Sequence, residues 1–398
     1  MKICIVVDDY LPASKKVAAK MMHELAIELT NQKHEITVIT PDSDISRKIE
    51  ISELDCIKVC KFKSGSIKNV SKIQRAINES LLSFKAWNYC NKYFKNNPHD
   101  LILYYSPSIF WGPLIRKLKK LWNVKSYLIL RDFYPQMFFD EGLIKEHSLI
   151  GYYFKFFEWI NYKYADIIGI ESPKNLKWFN NKKKSKKPSE LLYNWASDKP
   201  VTTNDSKYRN MLNLNDKVVY FYGGNIGPQH DMPNLIRLVK SMEHEKKAHF
   251  VITGQGFAVD ILKNLIKQEN LTNITYLPSV PQDEFKIMLS EFDIGLFTLN
   301  KDHTTHNIPG KLLGYMVQEM PILGSINIDN DIEEIIGNNN AGLISITGDD
   351  QLFLKNALLL LNNKELRNEM GKNAKKLLKN TFSVKEACSR ILESCENL

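Results

Sequence analysis

Asn307-Ile308-Pro309-Gly310-Lys311-Leu312-Leu313-Gly314-Tyr315-Met316, followed by Pro321-Ile322-Leu323-Gly324, is the stretch whose reading decides the fold. Ahead of it, Phe292-Asp293-Ile294-Gly295-Leu296-Phe297 has the pattern of a buried strand, and polar residues then lead to Pro309 and Gly310, which suit a helix start. Pro321 ends that helix and Ile322-Leu323-Gly324 opens another strand. Unpaired N–H groups at a helix start, with the positive end of the helix dipole, attract a diphosphate, and Lys311 adds a full charge. The segment reads in two ways: as a sugar-nucleotide cradle, or as an ordinary αβ unit of a parallel sheet with a surface lysine.

Outward from this stretch the same alternation fills the chain. Toward the N-terminus, Lys2 to Val7, Glu35 to Thr40, Ile57 to Phe62, Leu101 to Tyr105 and Ser126 to Leu130 read as strands, with helices over Ala18 to Asn31 and Lys72 to Phe94. A second series runs through Val218 to Tyr222, Ala248 to Thr253, Ile274 to Leu277, Asp293 to Phe297 and Ile322 to Gly324. Between Ser185 and Tyr208 the pattern breaks into Pro, Ser, Thr, Asn and Asp, which marks a domain boundary. The fold class is therefore α/β, with two doubly wound halves. Ligands of such sheets bind beyond the carboxyl ends of the strands, so those ends are the places to search.

Composition narrows the classes. The chain of 398 residues has room for two domains, and 43% hydrophobic and 25% charged residues are ordinary for a globular protein. The apolar run Ile3-Cys4-Ile5-Val6-Val7 stops at Asp8-Asp9, too short for a signal peptide or a membrane span. Six cysteines without a CxxC pair favour scattered thiols in a reducing cytoplasm and give a metal site little support. Charge is uneven: residues 1–199 hold 33 Lys and Arg against 21 Asp and Glu, and residues 200–398 hold 21 against 24. Basic clusters at Arg116-Lys117-Lys119-Lys120 and Lys182-Lys183-Lys184-Lys186-Lys187 lie near Trp122, Trp178 and Phe179. Such a surface suits an anionic bilayer, a nucleic acid or plain solvent.

Several segments can carry chemistry. Gly223, Gly224 and Asn225 follow the first strand of the second half, where glycines let backbone amides approach a phosphate. The spacing fails the GxGxxG fingerprint and no GxxxxGK[ST] occurs, so dinucleotide redox chemistry and P-loop hydrolysis are set aside. Ser279 and Val280 end another strand, where backbone groups could bond a uracil edge. His303 and His306 precede Pro309 and could bond a phosphate or sugar hydroxyl. In the first half, Arg131 could hold a phosphate or carboxylate and Asp132 could act as general base, or the two could cap the strand as an ion pair. Asp8-Asp9 is either a carboxylate pair at a site or a helix cap. Asp42-Asp44 and Asp329-Asp331 resemble a metal-binding DxD but sit in turn-like stretches. Tyr152 to Tyr164 is apolar around most of a helix, which means core packing or a lipid-facing surface.

Together these segments resemble glycosyltransferase family 4 of the GT-B fold, over nearly the whole chain. Tyr193-Asn194-Trp195-Ala196-Ser197-Asp198 is similar to the stretch closing that family's first domain, Tyr222-Gly223-Gly224-Asn225-Ile226 to its first phosphate loop, and Pro309 to Met316 to its diphosphate helix. Asp8-Asp9-Tyr10-Leu11-Pro12, Tyr105 to Gly112 and Leu128-Ile129-Leu130-Arg131-Asp132 resemble the N-acetyl-L-fucosaminyl transferases of bacterial O-antigen and capsule assembly.

The resemblance implies two Rossmann-like domains facing across a cleft. Residues 1–199 would face acceptor and membrane, residues 200–382 would bind a UDP-sugar, and the helix within 383–398 would pack back on the first domain. It implies UDP-N-acetyl-L-fucosamine as donor and an undecaprenyl-diphosphate-linked sugar as acceptor at the cytoplasmic membrane face. No metal, other cofactor or nucleic acid is involved. The donor site would comprise Gly223, Gly224, Asn225, Ser279, Val280, His303, His306, Pro309, Gly310, Lys311 and Leu312, with Asp9, Arg131, Asp132 and Lys311 as catalytic candidates. The family's glutamate pair falls on His306 and Gly314, and Lys311 is left as the clearest cation. Retention follows from the family, inversion from an α-L linkage made from a β-L donor, and a carboxylate such as Asp9 or Asp132 would then be the base. A UDP-sugar 2-epimerase of the same architecture and a basic RNA- or membrane-binding scaffold are the alternatives.

Overall fold

A computed structural model describes residues 1–14, 16–67, 70–140, 142–182, 184–202, 205–301 and 308–397. The chain divides into two compact units, Met1–Asn194 with Val384–Leu398, and Trp195–Ser383. The division follows Asn194 rather than residue 199. Trp195 is buried, the Ala196 N–H donates to the Phe382 carbonyl at 3.0 Å, and Lys375 donates to the Asp198 carbonyl, so 195–198 are already held by the second unit.

Among the described residues, fourteen strands form two sheets. In the first unit, β1 (Lys2–Val6), β2 (Glu35–Asp42), β3 (Ile49–Leu54), β4 (Ile57–Lys63), β5 (Leu101–Ser106), β6 (Lys125–Leu130), β7 (Ile167–Ile170) and β8 (Ser189–Leu191) lie in the order β3-β4-β2-β1-β5-β6-β7-β8. Only the β3–β4 pair is antiparallel. In the second, β9 (Val218–Asn225), β10 (Ala248–Gln255), β11 (Ile274–Pro278), β12 (Ile294–Thr298), β13 (Ile322–Ile326) and β14 (Gly342–Ile346) run parallel in the order β11-β10-β9-β12-β13-β14. Strand order reverses between β1 and β5 and between β9 and β12, and these two crevices are where an open α/β sheet offers a ligand site.

Apolar runs such as Ile3-Cys4-Ile5-Val6 and Tyr220-Phe221-Tyr222 are buried throughout, as strands covered by helices on both faces require. Trp111, Tyr104 and Phe62 fill the first core; Tyr220 stacks on Phe250 at 4.7 Å between ring centroids in the second.

Two local readings change. The helix expected over Lys72 to Phe94 is two helices, Lys72–Ser80 and Leu82–Asn96. Leu82, Ala86, Cys90 and Phe94 form a buried stripe, whereas Ile73 and Ile77 are exposed, and the Ser80 hydroxyl bonds back to the Ala76 carbonyl at the junction. Strands β7, β8 and β14 have no counterpart in the sequence reading, and neither has β3. Its hairpin turns through Asp55 and Cys56, both at positive φ, and a Cys in that position hides the usual turn signal.

Candidate functional site

In the second unit the crevice between β9 and β12 is built on a tyrosine and a lysine. Helix Gly310–Val317 starts with Pro309 at its cap position in extended backbone (φ −60°, ψ 127°). Proline there fixes the entry into the helix and needs no N–H partner. From the first turn the Lys311 side chain reaches back over the Tyr222 ring, with Nζ 3.5 Å from the ring centroid. The amine is buried and has no hydrogen-bond partner among the described residues. Burial pushes it well below the usual lysine range, with no charged group among those residues to offset the effect. An anion brought beside such an amine would supply its missing acceptor and favour its protonated form.

Tyr222 is itself fixed in place. Its hydroxyl donates to the Asn225 carbonyl at 2.7 Å, which also ties the end of β9. Tyr315, one turn along the lysine's helix, donates to the Leu296 carbonyl at 2.9 Å and accepts from the Gly223 N–H at 3.3 Å. Its ring fills the space a side chain at Gly295 would need, since a Cβ there would stand 2.3 Å from the ring. Gly224 is exposed at φ +119°, and the neighbouring Gly254 lies so close that a Cβ on it would be 1.8 Å from the Gly224 carbonyl oxygen. Two glycine turns thus run side by side next to the lysine.

The remaining donor-side residues divide by role. Gly223 is buried, its N–H is taken by Tyr315, and a Cβ on it would strike Phe285, so it serves packing rather than phosphate. The Leu312 N–H is taken by the Pro309 carbonyl at 3.0 Å and its side chain is core, so it too is corrected from ligand to structure. Asn225 is exposed at the end of β9. Ser279 is exposed and donates to Gln255 at 3.2 Å, two strands away from β9, with half-buried Val280 beside it. Gly310 begins the lysine's helix. His303 and His306 lie outside the described residues. Tyr222 and the turn Gly254-Gln255-Gly256 were not singled out from sequence; two glycines after a strand were the available signal.

In the first unit the strand ends gather Asp8, Tyr105, Arg131, Asp132 and Glu171. Arg131 is buried and donates to the Leu192 and Tyr193 carbonyls at 2.8 and 3.2 Å. That corrects its expected role: the guanidinium braces the segment leaving β8 instead of meeting a phosphate. Glu171, just beyond β7, is buried and accepts from the Asn194 amide at 2.9 Å, while its other oxygen has no partner among the described residues. Burial pushes its carboxyl up to about 8 against the pull of Arg131. Asp132 is half-buried and raised by the same cause, again opposed by Arg131. Asp9 is engaged by the Ser14 hydroxyl at 2.6 Å and Lys16 at 3.6 Å, whereas burial lifts its neighbour Asp8 to about 6. Among the described residues no three metal-ligating groups converge.

Residues 204–377 match the family described as Glycosyl transferases group 1. The match falls within the second half of the chain. Over 228 residues the chain is 27% identical to a probable glycosyltransferase, WbjE, of Pseudomonas aeruginosa, covering 55% of each; the chain thus spans about half the length of that relative. The fold is similar across the whole chain to sucrose-phosphate synthase from Thermosynechococcus elongatus (TM-score 0.73, 12% identity, 98% of that chain). It is likewise similar to Anabaena HepE solved with UDP (TM-score 0.70, 13% identity, 100% of both chains). These similarities, with the two parallel sheets, give the chain the GT-B fold. Lys311, Tyr222 and Gly224 all lie inside the matched residues 204–377.

Proposed function

We propose that the protein transfers a sugar, N-acetyl-L-fucosamine, from its UDP donor to an undecaprenyl-diphosphate-linked sugar at the cytoplasmic face of the membrane, in O-antigen or capsule assembly. The observation that carries the donor half of this reading is the Lys311 amine, held over Tyr222 at the β9/β12 crevice without an oxygen partner among the described residues. A nucleoside diphosphate supplies the oxygens it lacks. HepE, similar in fold, was solved with UDP, and the WbjE match adds a glycosyltransferase relative. The fucosamine donor and the lipid-linked acceptor rest on the motif resemblance of Asp8–Pro12, Tyr105–Gly112 and Leu128–Asp132.

In this reading the bond between the sugar's anomeric carbon and the β-phosphate oxygen breaks, and the departing UDP takes the electron pair. Lys311, with the backbone near Gly224 and Gly310, stabilises the charge growing on that phosphate. The acceptor hydroxyl forms the new bond to the anomeric carbon. Its proton passes to a carboxylate, Asp9 or Asp132, if the centre inverts, and to the leaving phosphate if it is retained. Lys311 supplies the counter-charge, so the reading needs no metal.

The test is mass spectrometry of products made from a panel of UDP-sugars and a synthetic prenyl-diphosphate-GlcNAc acceptor, with and without EDTA. Transfer from UDP-N-acetyl-L-fucosamine alone, unaffected by EDTA, is the expected result. Epimer formed from the UDP-sugar without acceptor would replace this reading with an epimerase.

A further inference from the structure

We propose that the helix Leu149–Lys163 is a membrane-docking element that lies flat on an anionic lipid bilayer with its aromatic stripe in the headgroup–acyl boundary. The proposal deepens the reading of a lipid-linked acceptor, but it stands on the helix itself.

The helix is amphipathic with its faces exchanged. Its protein-facing side carries Gly151, Glu158, Asn161 and Tyr162, all buried. Gly151 allows close approach, since a Cβ there would stand 2.5 Å from the Glu146 carbonyl oxygen. Glu158 pairs with Lys184 at 3.3 Å, and the Asn161 carbonyl accepts from the buried Tyr104 hydroxyl at 2.6 Å. Ser148 caps the first turn by accepting from the Gly151 N–H at 3.0 Å. The opposite side holds Leu149, Tyr152, Tyr153, Phe156 and Trp159, which are 90, 55, 43, 52 and 51% exposed. Their spacing of three and four residues puts them on one stripe roughly 15 Å long. A soluble helix has no reason to turn its polar residues inward and five large apolar ones to water.

Charge decides between a bilayer and a second copy of the chain. The helix's one carboxylate, Glu158, is on the buried side, and exposed Glu146 just before the helix is paired with Lys155 of the helix at 2.8 Å. Exposed Lys163 ends the stripe, its amine 4.4 Å from the Trp159 ring centroid; Lys145, before the helix, is also exposed. Arg116, exposed on the neighbouring helix Gly112–Trp122, lies 5.8 Å from the Tyr164 ring, and Lys117 and Lys120 on that helix are exposed as well. Two copies meeting on this face would press like charges together; anionic headgroups would neutralise them. Tyr and Trp beside Lys is the composition of a membrane interface. At 15 residues the helix is too short to span a bilayer, and no helix among the described residues is long and apolar enough to do so.

The experiment is co-sedimentation of the full chain, without donor or acceptor, on phosphatidylcholine vesicles and on vesicles half phosphatidylglycerol. Binding at least tenfold tighter to the anionic vesicles is expected, together with a drop of about a hundredfold or more in Tyr152→Ser/Phe156→Ser/Trp159→Ser. Brominated acyl chains should quench the bound wild type and quench Trp159→Phe less, which still binds. Unchanged vesicle binding by the triple variant, or no binding to anionic vesicles, overturns the proposal. A dimer that the triple variant dissolves, with no vesicle binding, assigns the face to a second copy and also overturns it. Transfer to a short-chain, water-soluble acceptor stays normal in the triple variant. Its absence in wild type as well would count against the proposed reaction without touching the docking surface.

Discussion

The two crevices treat their buried cations in opposite ways. Arg131, beyond β6, is turned onto the Leu192 and Tyr193 carbonyls with Glu171 and Asp132 close by; Lys311, beside β9, is held over a ring with no oxygen in reach among the described residues. A guanidinium bonded to backbone carbonyls through both Nη atoms, with carboxylates beside it, is part of the scaffold, while a desolvated amine without an acceptor among the described residues carries an unmet cost that a ligand can remove. The contrast separates a residue that shapes a site from one that meets a substrate, although both follow a strand in sequence.

The sharpest way to break the contrast is to remove the lysine. Lys311→Met keeps the stem and deletes the charge, and the loss of one charge donor to a developing phosphate is worth on the order of 10² to 10³ in kcat. We expect that fall in the transfer assay, weaker UDP binding by calorimetry, and a melting temperature no lower than wild type because a buried amine is gone. Full activity would show that Lys311 is as structural as Arg131. The converse change, Arg131→Met, should act on stability. Losing its bonds to two buried carbonyls costs about 3 kcal/mol, or roughly 10 °C in the melting of the first unit, while UDP affinity at low temperature is unchanged. A loss of UDP affinity in the folded variant would place Arg131 at the ligand after all.

A third measurement sharpens the difference through protons. Burial depresses the Lys311 amine in the free protein, and a bound diphosphate would restore it. At a pH between those two values, UDP binding takes up a proton, so affinity falls about tenfold for each unit of rising pH. Calorimetry in buffers of different ionisation enthalpy should show uptake approaching one proton in wild type and none from this site in Lys311→Met. Equal heats after buffer correction would mean the amine stays charged over Tyr222.

The parallel sheets were legible because buried strands and amphipathic helices leave runs that spacing reveals, and Lys311 was legible because a cation directly after Pro309-Gly310 sits at a helix start. What spacing could not show were partners far along the chain. The carbonyls that occupy Arg131 lie 61 and 62 residues on, and Tyr222, read as a strand end opening a glycine loop and given no role of its own, becomes a platform through a lysine in another element. The helix Leu149–Lys163 shows the same limit. Its composition announces an apolar surface, but the bare side is fixed by Glu158 meeting Lys184 and Asn161 meeting Tyr104.

The smallest expected effect tests the scaffold side of the contrast. Glu171 titrates near 8 when folded and near ~4.3 when unfolded, so the folded state binds the extra proton between those values. Its contribution to stability is therefore fully present below pH ~4 and is lost as the pH rises through about 8. In Glu171→Gln the amide keeps the bond partner for Asn194 but does not titrate. Its melting temperature, followed from pH 7 to 8.5, should gain on wild type as the pH increases, by a few degrees at the top of that narrow range. Parallel melting curves would mean that Arg131 keeps Glu171 ionised throughout, making the pair a buried salt bridge instead of a brace beside a neutral carboxyl.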